Sequence, residues 1–214
     1  MFSLLSESPI VIIIRAVSIL AAITIHEFCH GLAADKLGDP TPRINDRLSL
    51  NPIKHLDPLG TLALFFIGVG WAKPVPIDPF NFRDKKRDTA LVSLAGPGAN
   101  FLSAVLAAAI LKYLLPLLFP ANSILPGFMA VLFYPFIIVS VGLAVFNLIP
   151  IPPLDGSKIL FSILPNRVAY EWEDLLERYG LVILMLLLFP LFGGQSLIMP
   201  VILPIINAIL KLLL

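Results

Sequence analysis

The sequence predicts an all-α polytopic membrane protein, with short β-strands at the membrane edge and additional hydrophobic helices toward its C-terminal end. Three observations carry that prediction. Apolar residues make up 58% of the 214 and charged ones 14%, against about 45–50% and about 25% in a soluble domain. Mean hydropathy is +0.93. Several stretches approach the roughly 20 apolar residues that a helix needs to cross a bilayer. Apolar side chains in this excess cannot all be hidden in the core of so small a chain. The 15 basic and 14 acidic residues nearly cancel, which excludes a basic nucleic-acid binder, and the hydropathy excludes disorder. Cys29 is the single cysteine, so no internal disulfide can form.

The first segment, about Ile10 to Ala34, is apolar through Ile25 apart from Arg15, which is expected to snorkel toward the outer headgroups. The residues ahead of it carry Glu7 and no Lys or Arg, the reverse of a signal peptide. Leu59 to Trp71 is too short to span and holds Gly60, Gly68 and Gly70, so a re-entrant hairpin or an embedded strand pair suits it. The next segment, about Thr89 to Leu118, contains Ala95-Gly96-Pro97-Gly98-Ala99-Asn100. Small residues there permit close helix approach, and the proline loosens the helix ladder, so this segment should pack centrally. About Phe128 to Ile149 is uncharged and stops at Pro150-Ile151-Pro152-Pro153, a string that cannot continue a helix. Leu181 to Phe192 and Leu197 to Leu214 close the chain. Arg43 to Leu50 and Lys73 to Asp78 partly alternate polar and apolar residues, the pattern of the membrane-edge strands, which either cap the structure or add a strand of substrate. No repeat or linker divides residues 1–214, so one integral domain is expected, its core at about 10–164 and its C-terminal hydrophobic helices at about 180–214.

Basic residues from Lys36 to Arg87 crowd one polar side, which Lys158, Arg167 and Arg178 join, whereas the next polar side, around Lys112, has one. The positive-inside rule places the crowded side in the cytoplasm and the N-terminus outside.

Inside the first segment lies His26-Glu27-Phe28-Cys29-His30. On a helix the two histidines stand about 40° apart, with Glu27 about 60° further round. Both imidazoles can therefore grip one zinc ion while the carboxylate reaches its water. The alternative is a pair of hydrogen-bonded core histidines, but three ionisable groups at membrane depth would each cost about 2.5 kcal/mol or more without a partner. Cys29 lies on the side of His26 away from Glu27. A fourth protein ligand would close a catalytic site, so it is read as a small buried residue.

A catalytic zinc needs a third ligand and an open position. Ala33 and Lys36 stand where an extended helical motif would place Gly and His, so the third ligand lies elsewhere. His55 is one candidate, although its turn-rich loop suits a surface residue. Glu171, Glu173, Asp174 and Glu177 read as a solvated helix face. Asp155 follows the proline string on the same side as the end of the first helix, and is read as a ligand in preference to a helix N-cap. Asn147 and Asn100 are candidate substrate-binding donors, with helix–helix hydrogen bonding as the alternative for both.

In several separate stretches the chain resembles the site-2 protease family of intramembrane zinc metalloproteases. His26 to Gly31 is similar to the family's zinc helix, and Asn147-Leu148-Ile149-Pro150-Ile151-Pro152-Pro153-Leu154-Asp155-Gly156 to its second motif. Asn51-Pro52 to Gly60, Gly70 to Pro76 and Ala95 to Asn100 also resemble the family, so the likeness covers about Ile10 to Leu164. The resemblance implies a three-helix catalytic core, with His26, His30 and Asp155 as zinc ligands and Glu27 as general acid and base. It also implies a substrate that is a transmembrane segment of another protein, cut within or near the membrane plane as a step in signalling. Some members carry an extra helix before the zinc helix, and many a regulatory domain; neither is expected in these residues. The competing readings are a membrane zinc peptidase of another family, and a zinc-binding adaptor or transporter that cuts nothing.

Overall fold

The structure is a computed structural model and describes residues 8–67, 70–120, 123–189 and 196–214. Helix α1 (Pro9–Lys36) opens it. Proline at its first turn costs nothing there, because the first N–H groups of a helix have no partner within it. A short turn, α2 (Thr41–Ile44), follows, then a 3₁₀ turn at Pro52–His55, α3 (Pro58–Ile67) and a second 3₁₀ turn at Pro79–Asn81. Helix α4 (Lys85–Ala109) starts on Asp84, whose side chain accepts from Arg87 N. It continues through a π-helical turn, Ile110–Leu114, into α5 (Leu115–Leu118). Then come α6 (Ile124–Asn147), α7 (Asp155–Ile163), α8 (Asn166–Leu188) and α9 (Met199–Leu213).

Three stretches, Pro9–Lys36, Lys85–Leu118 and Ile124–Asn147, are long and apolar enough to cross a membrane. Helices α1, α4 and α6 pack against one another in a three-membered bundle, with α7 laid on α4 and α9 against α6. The contact of α4 with α6 is built from Ala104, Ala107 and Ala108 facing Ile137 and Val141, and α9 covers it with Ile206, Ile209 and Leu210. Small side chains let the backbones approach, which is how helices gain packing energy where lipid removes the hydrophobic drive. Large apolar residues such as Ile13, Val17, Leu102, Leu106 and Ile138 face outward instead, as a lipid-facing surface requires. A bundle of three such helices is the architecture of a multi-pass integral membrane protein.

Several expected elements differ in kind. The membrane-edge strands do not form: among the described residues the only bridge outside helices joins Leu56 to Ala72. Pro42 falls in the first stretch's approach, and Thr41 N donates to Asp39 Oδ1 at 3.0 Å, which starts a helical turn through Ile44. In the second stretch Pro74 and Pro76 have no donor for a ladder. Its remaining N–H groups go elsewhere: Lys73 N to His55 O at 2.9 Å, Val75 N to Glu27 at 2.9 Å and Asp78 N to Asp39 Oδ2 at 2.8 Å. Residues 71–78 thus form an extended wall rather than a strand of a sheet. The Leu59–Trp71 segment is helical through Ile67 and returns to the Leu56–Ala72 bridge, with Gly68 and Val69 outside the described residues. The apolar stretch from Leu181 is the second half of the longer α8, and its end at 190–192 lies outside the described residues. Helix α9 runs through Pro204 and is too short to be counted a span.

Candidate metal centre

Helical spacing puts His26 and His30 one turn apart on the face of α1 that meets α4, both 6% exposed. Their rings meet edge to face with centroids 4.5 Å apart. Gly96 of α4 lies directly opposite. A Cβ there would come within 2.3 Å of His30 Nε2 and 2.8 Å of His26 Nε2. Only a residue without a side chain leaves that space open.

The third group arrives from the far side of the sequence. Helix α6 ends at Asn147, and the proline string turns the chain, with a cis bond between Pro152 and Pro153. Helix α7 then begins at Asp155. Gly156 makes the turn possible, since a Cβ there would lie 2.2 Å from Leu148 O. Leu154 is the N-cap of α7 and no side chain caps it. The Asp155 carboxylate is therefore free of capping duty and turns toward α1.

His26 Nε2, His30 Nε2 and Asp155 Oδ2 lie 3.0–3.1 Å from one another, the one such group of potential metal-holding side chains among the described residues. Their chemistry suits a divalent cation. His30 Nδ1 lies 2.7 Å from Val92 O, and a carbonyl only accepts, so Nδ1 carries a proton and the neutral form of the ring presents a bare Nε2 to the centre. A bare nitrogen 3.1 Å from a carboxylate oxygen needs a shared proton or a cation between them. The edges of the triangle approach the roughly 3.3 Å expected between donors on a tetrahedron with bonds of about 2.0–2.1 Å. Burial alone would raise the Asp155 carboxyl, but the hydrogen bonds of the two imidazoles outweigh it and hold the group well below the usual carboxylate range.

Beside this triangle opens a cavity of about 120 Å³, lined by all three residues together with Glu27, Val75, Asn147 and Lys158. That is room for several water molecules. Glu27 Oε2 accepts the N–H of Val75 at 2.9 Å, which fixes the carboxylate on the cavity wall. Asn147 also lines the cavity, with Nδ2 donating to Leu143 O at 3.0 Å.

The other sequence candidates fall elsewhere. Asn100 is fully buried behind His26, with Nδ2 3.2 Å from His26 Nδ1, away from the cavity lining. His55 is fully buried rather than on the surface, its Nε2 donating to Ser49 O at 2.7 Å. Glu171 is exposed on α8 and paired with Arg167 at 3.6 Å. Cys29 is half-buried and outside the converging group. Sequence reasoning missed Gly96, Val75 and Lys158 as parts of the site. The Ala95–Asn100 run signals close packing, but which residue meets the histidines depends on helix register.

The match to peptidase family M50 covers residues 116–187, a stretch that includes Asn147 and Asp155. The protein named "Putative zinc metalloprotease YwhC" from Bacillus subtilis (strain 168) is 34% identical over 196 residues, spanning 90% of this chain and 85% of the relative. "Putative zinc metalloprotease Rip2" from Mycolicibacterium smegmatis is 29% identical over 177 residues, and its counterpart from Mycobacterium tuberculosis (strain H37Rv) 30% over 184. This chain covers 64% and 66% of those two proteins. No solved structure matches.

Proposed function

The chain belongs to peptidase family M50, the site-2 protease family, and on that premise we propose that it is a zinc metalloprotease that cuts peptide bonds within transmembrane segments of other proteins. One observation carries the reading: two imidazoles and a carboxylate converge at the edge of a water-sized cavity that also holds a glutamate. A site that only binds or carries metal has no use for that glutamate.

In this reading His26, His30 and Asp155 hold the zinc and leave one position open toward the cavity. Zinc, when bound, supplies Lewis acidity that polarises a carbonyl and brings the pKa of water toward about 7. The protein's own groups do the rest. Glu27 takes a proton from the attacking water and returns it to the leaving amine. Its bond from Val75 N–H keeps one carboxylate oxygen fixed while the other handles that proton. Asn147 has a second amide hydrogen with which to steady the oxygen that gains charge on the substrate.

The substrate backbone lies along the wall at 71–78. Pro74 and Pro76 have no N–H, and that of Val75 is given to Glu27, so over 74–76 a substrate pairs with carbonyls only. A helical substrate must unwind before its own N–H groups can reach them. Water reaches the cleavage point through the cavity, since hydrocarbon would exclude it. The basic residues between Lys36 and Arg87 support a position for this end of α1 at the cytoplasmic face of the cell membrane, with residues 1–214 acting as one integral domain.

The test is to incubate the purified protein with a panel of transmembrane peptides, with and without chelator, and to map products by mass spectrometry. Cuts within the apolar segments that vanish with chelator and return with added zinc are expected. Zinc uptake without any cut, on substrates that span the panel's sequence range, would favour a binding-only protein.

A further inference from the structure

The two histidines are anchored from behind in different ways. The partner of His30 Nδ1 is Val92 O, at 2.7 Å, a group that can only accept. His26 Nδ1 instead meets the side-chain amide of Asn100 at 3.2 Å, and an amide can donate through nitrogen or accept through oxygen. As placed, Nδ2 faces the ring, and Asn100 Oδ1 is buried with no hydrogen-bond partner. A buried oxygen left in that state is costly, and it belongs to the side chain that backs a candidate ligand.

The proton inventory of His26 explains the arrangement. When Asn100 donates to Nδ1, the neutral ring carries its hydrogen on Nε2, which then donates to Asp155 Oδ2 at 3.1 Å. That satisfies His26, while the bare His30 Nε2 still faces the same carboxylate oxygen at 3.1 Å. To bind a cation, His26 Nε2 must give up its hydrogen and present a lone pair, so the ring's hydrogen moves to Nδ1. A half-turn of the amide then brings the orphan oxygen onto Nδ1–H.

We propose that Asn100 is a positioning residue for the metal, its amide oxygen accepting the Nδ1–H of His26 and so fixing the tautomer that presents Nε2. The inference rests on the ligand set argued above. Groups of this kind behind a ligating histidine typically change metal affinity by about 10–100-fold when removed.

The test uses the full chain in detergent. Zn²⁺ affinity is measured by competition with a chromophoric chelator for the parent protein, His26→Ala, Asn100→Leu and Asn100→Asp, and thermal unfolding of each is recorded in excess chelator. Leucine keeps the branched shape without an acceptor, whereas aspartate keeps an oxygen for Nδ1–H. Asn100→Leu should bind Zn²⁺ about 10–100-fold more weakly, with Asn100→Asp near the parent value. Parent-like affinity in Asn100→Leu overturns the proposal. So does an equal loss in both Asn100 variants with lowered unfolding temperatures in chelator, which assigns Asn100 to packing. If the parent and His26→Ala bind Zn²⁺ alike, the ligand set itself is wrong, an outcome distinct from failure at Asn100 alone.

Discussion

Gly96→Ala is the sharpest perturbation of the centre, because it adds one methyl group and removes no polar atom. The added carbon would stand 2.3 Å from His30 Nε2 and 2.8 Å from His26 Nε2. Ordinary contact begins at about 3.4–3.5 Å, so the overlap is roughly 1 Å at the nearer nitrogen and about 0.6 Å at the other. Metal–ligand distances tolerate only about 0.2 Å. The rings must move by several times that tolerance to clear the methyl. Zinc affinity should therefore fall by more than about 100-fold, beyond the effect of losing a supporting residue. The cost to folding should be that of an overpacked core, about 1–3 kcal/mol. Gly98→Ala is the control: it lies on the same helix two residues on, with nothing within 4 Å of its Cβ, and should leave zinc binding unchanged. The assay is zinc content and chelator competition on both variants. Gly96→Ala binding zinc within about threefold of the parent would show that α4 does not press on the histidine pair, and would refute the reasoning.

Glu27→Gln should keep zinc while peptide cleavage falls by about 10²–10⁴-fold, the span for loss of a general base; metal content and product yield on one preparation separate the two effects. Asp155→Ala should lose zinc binding, whereas Glu171→Ala, exposed on α8, should stay within about twofold of the parent, and the reverse result would move the third ligand to α8. Asp39 is fully buried and accepts from Thr41 N, Thr41 Oγ1, Asp78 N and Asn81 Nδ2. Burial alone would raise its carboxyl, but those donors outweigh it and hold the group below its ordinary value. Its contribution to stability is then present above the unfolded pKa of about 3.9 and is lost as pH falls through the lower folded value. Thermal unfolding should be less acid-sensitive in Asp39→Asn than in the parent below about pH 4, and equal pH slopes would contradict this.

The spans and the centre were legible in the sequence to different depths. Two histidines and a glutamate on one helix declare their shared face through spacing alone, and an uncharged run ending in prolines declares where a span stops. Asp155 could be placed near the histidines by topology, because both follow helices that end on the same side. Three kinds of feature were not legible. Whether 43–50 and 73–78 pair as strands depends on where their N–H groups go: Ile44, Asn45 and Arg47 bond back to the carbonyls of Pro40, Thr41 and Pro42, and Glu27, Asp39 and the His55 carbonyl take those of Val75, Asp78 and Lys73. Whether Gly96 or Gly98 meets the histidines depends on the rotation of α4, which a run of small residues does not specify. Asn100 shows the same gap, since the page of sequence holds its donor and acceptor chemistry but not the ring it backs.

The three groups of the centre come from positions 26, 30 and 155, so the proposed clamp joins the earliest helix to residues made much later. Chains emerge from the ribosome N-terminal end first. A growing polypeptide that has not reached Asp155 holds the two imidazoles of the proposed clamp without its third donor. Under the proposed function, the clamp can close only after α1, α4 and α6 have been made. On that reading, the order of synthesis makes the three-helix bundle the precondition of an armed centre rather than its consequence.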